Sequence, residues 1–220
     1  MGQPLHLRGC LLLAAASCAA PDARARARLR GPARLANASS ALVLKDRRLP
    51  APTSRALVAR RRLSGDYAQL AKLVAGDAAA GDKFGSSVAI DGDTIVAGAP
   101  NDEGVGRESG SVYVFRTSDG GATYDEMAKL TASDAAAWDR FGTSVAIDGD
   151  TVVVGAFREG NTGYCNSCSG SGAVYVFRTT DGGATYDQVA KLTSSDAAAG
   201  DNFGWSVAID GDTVVVGTYS

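Results

Sequence analysis

The chain has 220 residues and a mass of 22.4 kDa, with 45% hydrophobic, 21% charged and 7% aromatic residues. That balance argues against a disordered or fibrous chain; four cysteines are too few for a disulfide-built scaffold, and the single histidine, His6, argues against a histidine-rich metal site or a His-based triad. The net charge of −2 conceals a division, because residues 1–65 hold 13 of the 22 Lys and Arg but only two acids, Asp22 and Asp46. Residues 66–220 are correspondingly acidic and poorly suited to neutralising phosphates, which points away from nucleic acid as a partner.

In chain order, Arg8 precedes the short apolar run Cys10-Leu-Leu-Leu-Ala-Ala-Ala-Ser-Cys-Ala-Ala20. A positive residue, an apolar stretch too short to span a bilayer and then small residues predict a secretory signal peptide over 1–20. Residues 21–65 are rich in Arg and Ala, with Arg24, Arg26 and Arg28 alternating and Arg60-Arg61-Arg62 near the end, and show no sustained apolar period. They read as a basic disordered linker or targeting segment. Localisation is therefore expected to be secreted or cell-surface. An Arg-rich, acid-poor leader also suits a plastid transit peptide, so a plastid or another endomembrane-derived compartment is the alternative.

From Tyr67 onward the chain repeats itself. Phe84-Gly85, Phe141-Gly142 and Phe203-Gly204 recur at spacings of 57 and 62, each leading into Ser-Val-Ala-Ile-Asp-Gly-Asp-Thr. Units are expected at about 67–130 and 131–192, with a partial one at 193–220. Each full unit carries four strand signals. The first is Ser86 to Ile90, closed by the Asp91-Gly92-Asp93 turn, whose Asp-Gly pair suits a tight hairpin. The second is Thr94 to Ala99, whose counterpart Thr151-Val-Val-Val154 is apolar at successive positions, as in a strand covered on both faces. The third is Ser111 to Arg116, and the fourth is Thr123 to Thr131. Four antiparallel strands per unit of about 60 residues predict an all-β fold of propeller blades. The propeller is incomplete, with two full repeats plus partial ones.

Phe-Gly, then Ser-Val-Ala-Ile, then Gly98-Ala99-Pro100 resemble the FG-GAP repeat, the unit of the integrin α-subunit propeller. Gly-Ala-Pro is intact only at 98–100 and becomes Gly155-Ala-Phe157 and Gly217-Thr-Tyr219. The segment Thr117-Ser-Asp-Gly-Gly-Ala-Thr-Tyr124, repeated at 179–186, is similar to the Asp-box of sialidase-type propellers, which implies a structural turn between the third and fourth strands.

The resemblance to integrin-type repeats implies a calcium loop between the first and second strands. Here that loop offers only Asp91 and Asp93, with copies Asp148 and Asp150, and Asp210 and Asp212. Two carboxylates fall short of the roughly 6–8 oxygens calcium takes, so turn chemistry is the favoured reading and no cofactor is expected with certainty. Cys165-Asn-Ser-Cys168 lacks the two further ligands of a structural zinc site, so a local disulfide is the simplest reading and free thiols the second. The connection between the second and third strands carries the length difference between units: Asp93 to Tyr113 spans 20 residues and Asp150 to Tyr175 spans 25. Loops on a rigid scaffold are where recognition is built. The resemblance puts this loop on the same side as the fourth-to-first connector. Candidate binding residues are Asn101, Asp102 and Glu103 in one unit and Arg158, Glu159, Asn161 and Tyr164 in the next. Trp138 stands where the other units have Gly81 and Gly200; it is either a contact residue or a side chain packed between blades.

Closed propellers have roughly 4–8 blades, so these strands predict either a fragment of a longer propeller or self-association into a ring. The expected function is a non-enzymatic extracellular or cell-surface binding or adhesion module for a protein or glycan. A fragment of a propeller glycosidase, or a truncated product with no function of its own, is the alternative.

Overall fold

A computed structural model describes residues 41–46, 67–161 and 170–219. All twelve elements among them are β-strands, built as antiparallel sheets. One complete blade is the meander β3 (Ser87–Asp91), β4 (Thr94–Ala99), β5 (Ser111–Arg116) and β6 (Asp125–Leu130). The next is β7 (Ser144–Asp148), β8 (Thr151–Ala156), β9 (Ala173–Arg178) and β10 (Asp187–Leu192), and β11 (Ser206–Asp210) pairs with β12 (Thr213–Gly217) as the start of a third. The Asp-Gly-Asp hairpins impose the register. Asp91 pairs with Thr94 and Asp148 with Thr151, while Gly92 and Gly149 take φ near +55°, which glycine adopts without a Cβ clash.

The first strands of successive blades, β3, β7 and β11, lie side by side, and the sheets stack face to face outward from them. Val96, Val112, Val114 and Leu130 of the first blade meet Phe141, Val145, Val152, Val154, Tyr175 and Phe177 of the second in one core. The middle strands β4, β5, β8 and β9 are buried on both faces, which is why their sequences are apolar without alternation.

The family-like signature has a mechanical reading. The Phe141 ring stands edge-on to Tyr175 at 5.5 Å and to Phe177 at 5.9 Å, and its backbone forms a parallel bridge to Gly110 of the preceding blade. Gly142 then lies against Gly98: a Cβ on Gly98 would sit 2.0 Å from the Gly142 carbonyl oxygen, which Ser87 Oγ holds at 2.8 Å. Gly155 meets Gly204 in the same way. Phe141-Gly142 and Phe203-Gly204 therefore each dock on a glycine of the unit before them.

One finding departs from the sequence expectation. Within 21–65, read from sequence as a basic disordered linker or targeting segment, Ala41–Asp46 forms a strand, β1, paired antiparallel with β2 (Tyr67–Leu73). β2 corresponds to β6, and the pairing reproduces that of β5 with β6: Ala41 faces Leu73 as Val112 faces Leu130, with a bulge after Val43 as after Val114. β1 and β2 are thus the third and fourth strands of a further blade, and Ala41, Ala71, Leu73 and Ala75 cover Phe84, Tyr113 and Phe115 of the first complete one. The rest of 21–65, the signal-like 1–20, and Tyr164, Cys165 and Cys168 lie outside the described residues.

Candidate functional site

The connector 74–86 and the loop 100–110 converge on a cavity of about 500 Å³ lined by Asp77, Asp82, Asn101, Asp102, Glu103, Glu108 and Lys129. The sequence candidates Asn101, Asp102 and Glu103 are brought together here. Asp77, Asp82, Glu108 and Lys129 were not singled out from sequence.

Asp102 is the anchor. It is buried at 4% exposure and accepts hydrogen bonds from Gly104 N at 2.8 Å, Ser111 Oγ at 2.9 Å, Tyr113 OH at 2.9 Å and Lys129 Nζ at 3.1 Å. Burial alone would raise its pKa, but these donors outweigh it and hold the carboxyl below its ordinary value. Lys129 Nζ also reaches Asp77 at 2.6 Å and holds that carboxyl low. Tyr113 OH lies 2.7 Å from Asp77 as well. A phenol has one proton, so it donates to one carboxylate at a time, and Lys129 supplies donors to both. Burial and the two carboxylates together push the Tyr113 hydroxyl far above its ordinary pKa.

The second blade repeats the arrangement. Lys191 Nζ bridges Asp134 at 2.6 Å and Glu159 at 2.7 Å, and Tyr175 OH donates to Asp134 at 2.9 Å. Glu159, a sequence candidate, stands in the place of Asp102. Arg158 lies beside it with its guanidinium 5.6 Å from the Phe157 ring, and Asn161 N donates to Arg158 O. The copies of Asp82 are Asp139 and Asp201, and each of the three carboxylates accepts the backbone N–H three residues before it. Asp139 is 3% exposed, and burial, with Glu159 and Asp134 nearby, pushes its pKa up to about 6.

Trp138, in the connector entering the second blade, packs against the loop after β4. It is half-buried, its N–H donates to Arg107 O at 2.8 Å and its ring lies 4.7 Å from the Arg107 guanidinium. Beside it Arg140 forms an ion pair with Glu108. The loop after β4 is thereby clasped to the connector entering the next blade.

The paired aspartates lie elsewhere, on the β3–β4, β7–β8 and β11–β12 turns. Asp91 Oδ2 accepts Gly149 N at 2.7 Å and Asp148 Oδ2 accepts Gly211 N, so these carboxylates tie each turn to the next blade. With one oxygen so engaged and two carboxylates per turn, the set does not fit calcium's demand for roughly 6–8 oxygens. Among the described residues no cluster of three or more His, Cys, Asp or Glu could hold a metal ion. The Asp-box-like turns are likewise self-contained. Asp119 accepts Ala122 N, Thr123 N, Thr123 Oγ1 and Thr117 Oγ1, Asp181 does the same in its copy, and both are held far below the ordinary carboxyl range, chiefly by the bonds from Thr123 and Thr185.

Radially stacked four-stranded meanders, docked through Phe-Gly on glycine and carrying their conspicuous polar cluster in interblade loops, define a module of the β-propeller class. The FG-GAP repeat family profile matches residues 67–115, 124–177 and 186–220, and the chain belongs to that family. No curated protein matches the chain.

Proposed function

We propose that the chain is a non-enzymatic binding module, secreted or displayed at the cell surface, that recognises a protein through the connections after β4 and before β3. The carrying observation is the cavity lined by five acidic side chains, Asp77, Asp82, Asp102, Glu103 and Glu108, against one lysine. Lys129 and Arg140 are already committed to Asp77, Asp102 and Glu108, so the exposed Glu103 at the rim is left to a cationic ligand group. A basic protein segment suits that balance. The signal-like residues 1–20 support the compartment.

The test compares a Lys-Ala repeat peptide with a Gln-Ala repeat peptide on the full chain. At least fivefold tighter binding of the basic peptide, lost in Glu103→Lys, is expected. Equal affinity for the two, or binding indifferent to Glu103→Lys, would overturn the reading. Turnover of a fluorogenic sialoside above a heat-inactivated control would establish the glycosidase alternative instead.

A further inference from the structure

A second pocket lies at the opposite end of the strands from the acid-lined cavity, at the boundary between the two complete blades. The β3–β4 hairpin and the end of β5 in the first blade meet the β7–β8 hairpin and the β9–β10 turn of the second around a cavity of about 190 Å³, whose lining includes Asp91, Asp93, Arg116, Asp150, Gly183 and Tyr186. Its walls are fixed by bonds already in place. Asp91 Oδ2 holds Gly149 N at 2.7 Å across the boundary, and Thr179 and Asp181 lock the β9–β10 turn from within. Arg116 reaches over from the first blade to that turn: a Cβ on Gly183 would sit 3.4 Å from Arg116 Nη1 and one on Gly182 3.7 Å from it. The two glycines leave the guanidinium its place at the rim.

The charges around this pocket do not cancel one another. Among the described residues the Arg116 guanidinium makes no ion pair and no hydrogen bond, and the Asp93 and Asp150 carboxylates accept none, although the backbone carbonyls of both aspartates are engaged by Thr117 N and Thr179 N. A cation and two anions thus line one small cavity too far apart to pair. Burial raises the Tyr186 hydroxyl above its ordinary pKa, with Arg116 opposing and Asp150 reinforcing the shift, so both charges act on one phenol at the pocket wall. We propose that this junction binds a small zwitterion, a free α-amino acid, with its carboxylate on Arg116 and its ammonium group between Asp93 and Asp150. The planar fork of a guanidinium matches a carboxylate, and an ammonium group brings three donors to acceptors that have none. A neutral polyol would leave both signs of charge uncompensated. At about 30 Å³ for each water in the liquid, the cavity has the room of roughly six waters, enough for one amino acid and too little for a peptide. The site goes beyond the recognition assigned to the loops after β4 and before β3, and neither depends on the other.

The test titrates the full chain with L-alanine, N-acetyl-L-alanine and L-alaninamide, followed by ligand-observed NMR near neutral pH. L-alanine is expected to bind saturably. The other two, lacking the ammonium group or the carboxylate, are each expected to bind about tenfold more weakly, the worth of a lost charge-assisted hydrogen bond. Arg116 is exposed, and Arg116→Met is expected to bring L-alanine down to the affinity of L-alaninamide while leaving L-alaninamide unchanged. Asp93→Asn combined with Asp150→Asn is expected to weaken L-alanine and leave N-acetyl-L-alanine unchanged. Side chains that only hold the blades together would affect all three probes alike. No saturation by L-alanine at tens of millimolar on the unaltered chain, equal affinity for the three probes, or an Arg116→Met chain that loses L-alaninamide as much as L-alanine would overturn the proposal. So would D-glucose binding more tightly than L-alanine in a manner abolished by Arg116→Met, which would assign the pocket to a neutral polyol.

Discussion

Lys129 shows how one residue can decide whether a polar cluster stabilises or strains a fold. Among the described residues its ammonium alone can donate to Asp77 and Asp102 at once, since Tyr113 has one proton for the pair. Lys129→Met would leave the buried Asp102 facing the Asp77 carboxylate without the ammonium between them, with Gly104 N, Ser111 Oγ and Tyr113 OH as its remaining donors, a loss of about 1.5–3 kcal/mol by the worth of a hydrogen bond to a charged group. The urea midpoint is expected to fall accordingly, and Asp77→Asn in the same background is expected to restore part of it. Asp139 behaves in the opposite sense. Its folded pKa of about 6 lies above the ordinary 3.8, so between those values the folded chain holds a proton that the unfolded chain has lost. Stability from this group therefore falls as pH rises through that window, by up to roughly 3 kcal/mol. Asp139→Asn keeps the acceptor for Ala136 N and is expected to stabilise the chain more at pH 7.5 than at pH 4.5, read from urea midpoints at both. Asp77, Asp102, Asp119 and Asp181 are held below 3.8, so their opposite contribution is lost only at more acid pH. At Gly155 an added Cβ would meet the Gly204 carbonyl at 2.0 Å. The Gly204 backbone cannot yield as a side chain such as the nearby Ser144 could, so Gly155→Ala is expected to cost about 1–3 kcal/mol by overpacking. A thermal melt unchanged from the parent would contradict this.

At the scale of elements, the docking phenylalanines are graded by what surrounds them. Phe141 is fully buried between two blades, while Phe203 is half-buried. Phe141→Ala is expected to cost about 3–5 kcal/mol and Phe203→Ala distinctly less, a difference measurable by denaturant titration. The same grading explains what the sequence made legible. Strands β3 to β12 were readable because apolar runs, Asp-Gly turns and the Phe-Gly anchor recur in phase, and the boundaries came within two residues or so. β1 was not, because Ala-Leu-Val-Leu-Lys-Asp lacks the Tyr and Phe of its counterparts β5 and β9 and is joined to β2 through 47–66 rather than the eight-residue turn. Its pairing with β2 is what identifies it. The Lys129 cluster was missed for another reason: lysine and tyrosine on strands read as solvated or scaffold positions. Asp77, Tyr113 and Lys129 reappear as Asp134, Tyr175 and Lys191 at matching points of the next unit, and that coincidence of three polar residues was the available signal.

Across the whole molecule, the acid-lined cavity and the interblade joints draw on different parts of the same repeat, the first on loops that vary in length and the second on strand and turn positions that recur in phase. The docking of Phe-Gly onto a glycine of the preceding unit has a bearing on how such a chain changes length. Every unit brings a plug at its start and a socket near its middle, so cutting at equivalent points and splicing in another unit leaves each junction furnished with both. Growth or contraction by in-frame recombination would thus conserve every joint while altering the circumference, and the number of blades becomes a heritable variable separable from the fold of any one of them.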